Sequence, residues 1–408
     1  MNVVQVSVLD KEGARFNGQD LHIQLQERGV DSTHLVWRKT GDNDTTKEIC
    51  AGQFKNQIYQ TTSTLEKKLS LQSVLSPFSF SLHKDPYFVQ ADLAHYHLIH
   101  TGYFNLLALP SLSRSKPAVW TLHDPWAFTG HCVHPFDCTR WKTGCGSCPS
   151  LDSEFAMDRD NSHAMWMLKE FVYAKSDLDI VVCSKWMQEM AEASPLMKHA
   201  RIHYIPLGLD LDKFKPKDSR QAKRKLGVKE GNVVIGLRAT TSIFKGLNEA
   251  LECLRKLETD RGITILAFNQ KGLLEEFFGK YQIIDLGWLT ETDEMVTAYN
   301  AADIFLMPSQ GESFGMMAVE AMACAKPCIV FDGTALPATT FAPTYGISVP
   351  KNDTDALAQS LKNLVENESE RLTRGQIGRQ LAIEHYDEKV YIDSLIALYK
   401  ETLKRRAN

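Results

Sequence analysis

Residues 303–332 read DIFLMPSQGESFGMMAVEAMACAKPCIVFD, and this stretch constrains the fold more than any other. Ile304, Phe305, Leu306 and Met307 form a short continuous apolar run, as expected of a strand buried on both faces of a parallel sheet. Residues 308–313 carry turn chemistry. Residues 314–325, rich in Ala and Met, predict a helix that Lys326-Pro327 stops, and residues 328–331 supply the next strand. At the predicted helix start the N–H groups of Phe314, Gly315, Met316 and Met317 lack intrahelical acceptors, so dipole and donors together attract an anion such as phosphate. Gly315 would let a ligand approach the backbone closely. Glu312 and Glu320 bracket this cradle, and a carboxylate at each end suits hydroxyl-rich groups such as a sugar and a ribose.

The chain has 408 residues, room for two domains of ordinary size. A net charge of −4 argues against a nucleic-acid binder driven by global charge. No apolar run approaches the ~20 residues that span a bilayer. The first residues, MNVVQVSVLD, read as a strand and not as a signal peptide, which places the protein in the cytoplasm. The nine cysteines are then expected as thiols, metal ligands or buried hydrophobes.

Glu312 and Glu320, inside P-S-x-x-E-x-F-G and followed by E-A-M-A, resemble the E-x7-E signature of the retaining GT-B glycosyltransferases of family 4, also called glycosyl transferases group 1. The resemblance implies that Glu312 holds the donor sugar's hydroxyls and Glu320 the ribose. Ala325 stands where the family often has Gly, at what reads as a packing position. Arg238, at the end of the predicted strand 233–238, and Lys245-Gly246 after it resemble the family's pair that neutralises the donor diphosphate. Fixed cations there favour a transition state in which the leaving diphosphate gains charge. LGWL at 286–289 resembles the segment whose backbone reads the base.

Towards the N-terminus, strands are predicted at 3–9, 93–100, 117–123 and 177–183, alternating with helices, which means a doubly wound sheet. Residues 39–85 show little regular signal. The loop Glu12-Gly13-Ala14 after the first strand resembles a glycine pair that lies beside the donor phosphates; read from its residues alone it is equally a plain turn. His123 ends a predicted strand and by resemblance touches the donor sugar, and Asp124 is placed to orient it or to meet the acceptor. His97 is a further candidate whose residue-level reading favours a core histidine. IPLGLDLDKFKP at 205–216 resembles the family's interdomain linker. Cys132, Cys138, Cys145 and Cys148 read C-x5-C-x6-C-x2-C, similar to an insert in a subset of exopolysaccharide and O-antigen enzymes. They match a closed structural zinc site that would fold a loop too polar to hold itself, with free or paired thiols as the alternative.

These readings give an α/β protein of GT-B type, two Rossmann-like doubly wound parallel-sheet domains facing a central cleft. Residues 1–206 form the acceptor-side domain with the insert at about 129–149, residues 207–385 the donor-binding domain, and residues 386–408 a helix crossing back to the first. The expected function is a retaining glycosyltransferase moving a sugar from a nucleotide-sugar donor, UDP- or GDP-linked, to a glycan or lipid-linked acceptor in bacterial polysaccharide or glycoconjugate synthesis. No catalytic metal and no nucleic acid are expected. Residues 65–80 offer apolar and basic groups for peripheral contact with the inner face of the membrane, or a solvated amphipathic helix. The alternatives are an epimerase or hydrolase on the same fold and a non-catalytic sugar-nucleotide-binding subunit.

Overall fold

Short apolar runs dictate the framework. In the computed structural model, which describes all residues except 12, 51, 153 and 408, they become thirteen strands among the described residues. These are β1 (Asn2–Leu9), β2 (Asp31–Arg38), β3 (Thr46–Glu48), β4 (Leu93–His97), β5 (Ala118–Leu122), β6 (Asp179–Val182), β7 (Arg201–Tyr204), β8 (Val233–Ala239), β9 (Ile263–Asn269), β10 (Gln282–Gly287), β11 (Ile304–Met307), β12 (Cys328–Phe331) and β13 (Ile347–Val349). Two sheets result, ordered β3-β2-β1-β4-β5-β6-β7 and β10-β9-β8-β11-β12-β13. Every strand pair is parallel. Central strands such as β5 and β11 are buried along their whole length, which is why they read as unbroken apolar runs.

The chain forms two compact units, Met1–Ile205 with Ile392–Asn408, and Pro206–Tyr391. In the first, Val4, Val6, Tyr96, Trp120 and Trp126 anchor the core. The helix Glu388–Ala407 reaches it with its C-terminal part: the Tyr399 hydroxyl meets His95 Nδ1 at 2.7 Å, and Arg405 pairs with the fully buried Asp179. In the second, Ile235, Leu237, Ile304, Leu306 and Phe331 lie at the centre.

The structure revises several sequence expectations. The 39–85 region is not irregular: it contains a helix, Lys55–Leu69. Residues 65–80 do not continue it, because Ser70 turns left-handed (φ 53°) and the buried Glu66 carboxylate accepts the N–H groups of Val74 and Leu75 at 2.8 and 2.7 Å. Phe54, Ile58, Leu65 and Leu69 remain exposed along one side of that helix. No helix among the described residues is long and apolar enough to cross a membrane.

The helix predicted at 314–325 is shorter, Met316–Ala323. Its end explains position 325 differently from packing. Ala325 adopts φ 60°, its N–H bonds to Met322 O, and Lys326 N–H bonds back to Ala321 O. That is a Schellman cap, whose left-handed residue is normally Gly. Ala pays a conformational penalty there, so Ala325→Gly is expected to stabilise the protein by about 0.5–1 kcal/mol after the entropy of the freer unfolded chain is subtracted. Chemical denaturation checks this; a loss of stability would show that the Ala methyl packs more usefully than its backbone is strained.

Candidate active site

In the second sheet the chain moves outward from β8 to β9 and β10, then crosses to β11 on the other side. Ligands in open α/β sheets bind outside the carboxyl ends of the strands at such a reversal. The loops after β8 and β11 meet there and are pinned together. Phe244 O accepts the N–H groups of Gln310 and Gly311 at 2.9 and 3.0 Å. Gly246, at φ 68°, passes so close to Pro308 that a Cβ would lie 1.7 Å from its carbonyl oxygen. Only glycine meets both demands.

The pinning sets the charges. Lys245 Nζ lies 2.6 Å from Glu312 Oε1, with both side chains largely buried. Arg238, at the end of β8, has a buried Nε–H without a partner among the described residues. Glu320 is 6% exposed, and its Oε2 accepts the Tyr299 O–H at 2.7 Å. Burial and the Glu320 charge raise the Tyr299 pKa well above its ordinary value, so it remains a donor. Met316 and Met317 open the helix, whereas Phe314, predicted as its first residue, precedes it, buried and edge-on to Tyr386. Gly315, at φ 98°, gives its open side to the Leu336 side chain, so packing and not ligand approach uses its missing Cβ. Trp288, 68% exposed, follows β10. Nothing in the sequence marked Tyr299, because a tyrosine inside a helix carries no motif.

In the first unit, reversal falls between β1 and β4. The loop after β1 contains Gly13, at φ 62°, whose carbonyl accepts from Phe16 and Asn17; Glu12 lies outside the described residues. His123 follows β5, its Nε2 3.3 Å from His97 Nδ1 and its ring edge-on to Phe16. Burial pushes its pKa down to about 4, against the pull of Asp124. Asp124 does not hydrogen-bond His123. Its carboxylate accepts the Trp126 N–H at 2.9 Å and pairs with His100 Nε2 at 3.2 Å. Burial opposes that charge, but His100 and the N–H hold the Asp124 pKa below its ordinary value.

The four cysteines line one small cavity with His131 and Trp141. Among the described residues, however, no three His, Cys, Asp or Glu side chains are arranged to hold a metal ion, so the zinc expectation for Cys132, Cys138, Cys145 and Cys148 gains no support here. The loop has other supports. Cys145 Sγ accepts the Gly130 N–H, His131 Nε2 meets Cys148 Sγ at 3.2 Å, and the fully buried Lys169 donates to the carbonyls of Trp126 and Thr129. Burial lifts the Cys132 and Cys145 thiols to about 12 and 11, keeping them neutral.

Four histidines of this unit are held neutral chiefly by burial: His22 and His123 at about 4, His34 and His95 at about 3. Their unfolded value is about 6.5, so the unfolded chain binds more protons below it. Stability is therefore complete above about pH 6.5 and falls as pH drops towards 4, by up to about 1.4 kcal/mol per pH unit for each group. Asp10 and Asp179, at about 2, add their own loss only below about pH 5. Denaturation midpoints at pH 7.5 and 5.5 are expected to differ markedly; equal midpoints would mean that these side chains reach solvent.

Comparison with known proteins bears on the fold and the family. Residues 19–213 match the family model "Glycosyltransferase Family 4" and residues 218–381 match "Glycosyl transferases group 1". The chain is 25% identical over 327 residues to D-inositol 3-phosphate glycosyltransferase of Corynebacterium jeikeium, covering 75% of this chain and 72% of that one. It is 25% identical over 359 residues to the putative colanic acid biosynthesis glycosyl transferase WcaC of Escherichia coli, covering 81% and 82%. The structure of Anabaena HepE in complex with UDP and glucose aligns with a TM-score of 0.67 at 14% identity, over 98% of this chain and all of that one. The fold is therefore α/β of GT-B type.

Proposed function

For a chain that is a glycosyltransferase of the family 4 type, we propose retaining transfer of a sugar from a nucleoside-diphosphate donor to a glycan or lipid-linked acceptor. The observation that carries this reading is the pinning of Lys245 against Glu312, together with the unpartnered Arg238 Nε–H near the end of the strand that precedes the Lys245 loop. In the free protein Glu312 balances the Lys245 charge. A donor diphosphate offers Lys245 and Arg238 a second anion, and the helix start at Met316 and Met317 adds its dipole. Glu320, aimed by Tyr299, holds the ribose; Glu312 holds sugar hydroxyls; His123 contributes a further hydroxyl contact. As the bond from the anomeric carbon to phosphate oxygen breaks, the acceptor oxygen bonds to that carbon on the same face. Its proton passes to the leaving phosphate oxygen. This route needs no enzyme nucleophile and depends on fixed charges. HepE's complex with UDP and glucose supports a uridine nucleotide as the first donor to test.

The outward stripe of Phe54, Ile58, Leu65 and Leu69, flanked by Lys67 and Lys68, supports contact with an anionic membrane that carries the acceptor. A panel of nucleotide sugars tested by thermal shift, with flotation on anionic vesicles, examines both halves of the proposal. Glu320→Gln keeps the acceptor for Tyr299 but removes charge, and is expected to weaken the donor that stabilises the wild type about tenfold or more, a loss of about 1.5–3 kcal/mol. Glu312→Gln is expected to lower turnover more than donor affinity. Two variants indistinguishable from wild type would remove the site assignment, and failure to float would remove the membrane.

A further inference from the structure

Strands β1, β4 and β5 are neighbours, and one polar chain crosses them from Gln5 through His97 to His123. Gln5 Oε1 lies 2.8 Å from His97 Nε2, and His97 Nδ1 lies 3.3 Å from His123 Nε2. Both Gln5 and His97 are almost completely buried. Burial, with His95 and His123 nearby, pushes the His97 pKa well below its ordinary value. His97 is therefore neutral and carries one ring proton. A neutral imidazole bonded at both nitrogens donates at one and accepts at the other.

Direction follows from Gln5. Its side-chain oxygen, which can only accept, faces His97 Nε2, while its amide nitrogen is buried without a partner among the described residues; in this orientation the His97 proton occupies Nε2. His97 Nδ1 is then an acceptor, and the contact to His123 requires the proton on His123 Nε2. That leaves His123 Nδ1 bare. This atom is buried and has no partner among the described residues. His95, two residues before His97 on the same strand, is the contrast: both its nitrogens are bonded, to Tyr399 and Thr121. A buried acceptor left open beside one fully satisfied calls for an explanation. The first loop shares the arrangement, since any side chain at Gly18 would strike the His97 ring at 2.7 Å, and Phe16 packs edge-on against His123.

We propose that Gln5 and His97 are positioning residues that lock His123 in its Nε2–H tautomer and so offer Nδ1 as an acceptor for a hydroxyl of the donor sugar. The proposal rests on the functional reading above only for the identity of that hydroxyl. The tautomer exists without ligand and is measured without it.

The test is long-range 1H–15N correlation on the full-length protein labelled with 15N-histidine, the His123 signals being assigned by their loss in His123→Gln. The expected result is a protonated Nε2 and a bare Nδ1 in the free protein. UDP-glucose or GDP-mannose is expected to move the Nδ1 resonance, and the matching nucleoside diphosphate alone is not. Gln5→Leu removes the acceptor, so the His97 proton moves to Nδ1 and His123 switches to Nδ1–H, with turnover falling at least about tenfold. Simple loss of packing would not produce that switch. A protonated Nδ1 in the wild type, or a Gln5→Leu protein with an unchanged His123 tautomer, overturns the positioning chain. The expected tautomer with an Nδ1 that responds to neither sugar nucleotide overturns its assignment to the donor sugar and leaves the chain of hydrogen bonds standing as structure alone.

Discussion

The second unit depends on one close backbone contact. The Gly246 segment lies against the Pro308 carbonyl, and Phe244 O receives two N–H groups from the opposite loop. Two loops more than sixty residues apart in sequence are thereby fixed at the carboxyl ends of β8 and β11. The Lys245–Glu312 pair follows from this contact. A half-buried ion pair is weak evidence for stability, because desolvation cancels much of the attraction. Its value here is geometric: it holds a cation and a carboxylate where each can find a partner on an incoming donor without searching for a conformation.

The first unit solves a different problem. Its sheet carries polar side chains inward, among them Gln5, Ser7, His34, His95 and His97, all essentially buried. Such groups are tolerated when bonded. Ser7 and Gln19 occupy the two nitrogens of His34, while Thr121 and Tyr399 occupy those of His95. The last of these partners comes from the C-terminal helix, which thereby satisfies a buried histidine of the first unit's sheet. Where the separate chain from Gln5 through His97 reaches His123, one nitrogen is left over.

Much of the framework was legible in the sequence because fully buried parallel strands are continuous apolar runs. β11 and β12 coincide with the runs at 304–307 and 328–331. The strand read at 93–100 ends at His97, since Leu98 turns left-handed (φ 42°) and periodicity does not report such a turn. Residues 39–85 hid the helix Lys55–Leu69 because its apolar stripe faces outward and its buried side includes Lys55 and Glu66. Arg238, Lys245, Glu312 and Glu320 stood out by their resemblance to a family motif, and the structure brings Lys245 against Glu312. The supporting residues did not stand out: Tyr299 behind Glu320, and Gln5 behind His97, are contacts between distant segments. The cysteine spacing suggested a metal, yet the loop is held by Lys169 and by its own hydrogen bonds, which spacing cannot show.

The central claim is that the pinned loops after β8 and β11 receive a nucleoside-diphosphate sugar. Amide hydrogen exchange on the full chain, with and without a saturating nucleotide sugar, tests this most directly, because a ligand protects the amides it orders. The account predicts slowed exchange at residues 241–247 and 309–318, with little change at the opposite, amino-terminal ends of the second unit's strands. Unchanged exchange in both loops despite demonstrated binding, or protection confined to another part of the chain, would contradict it.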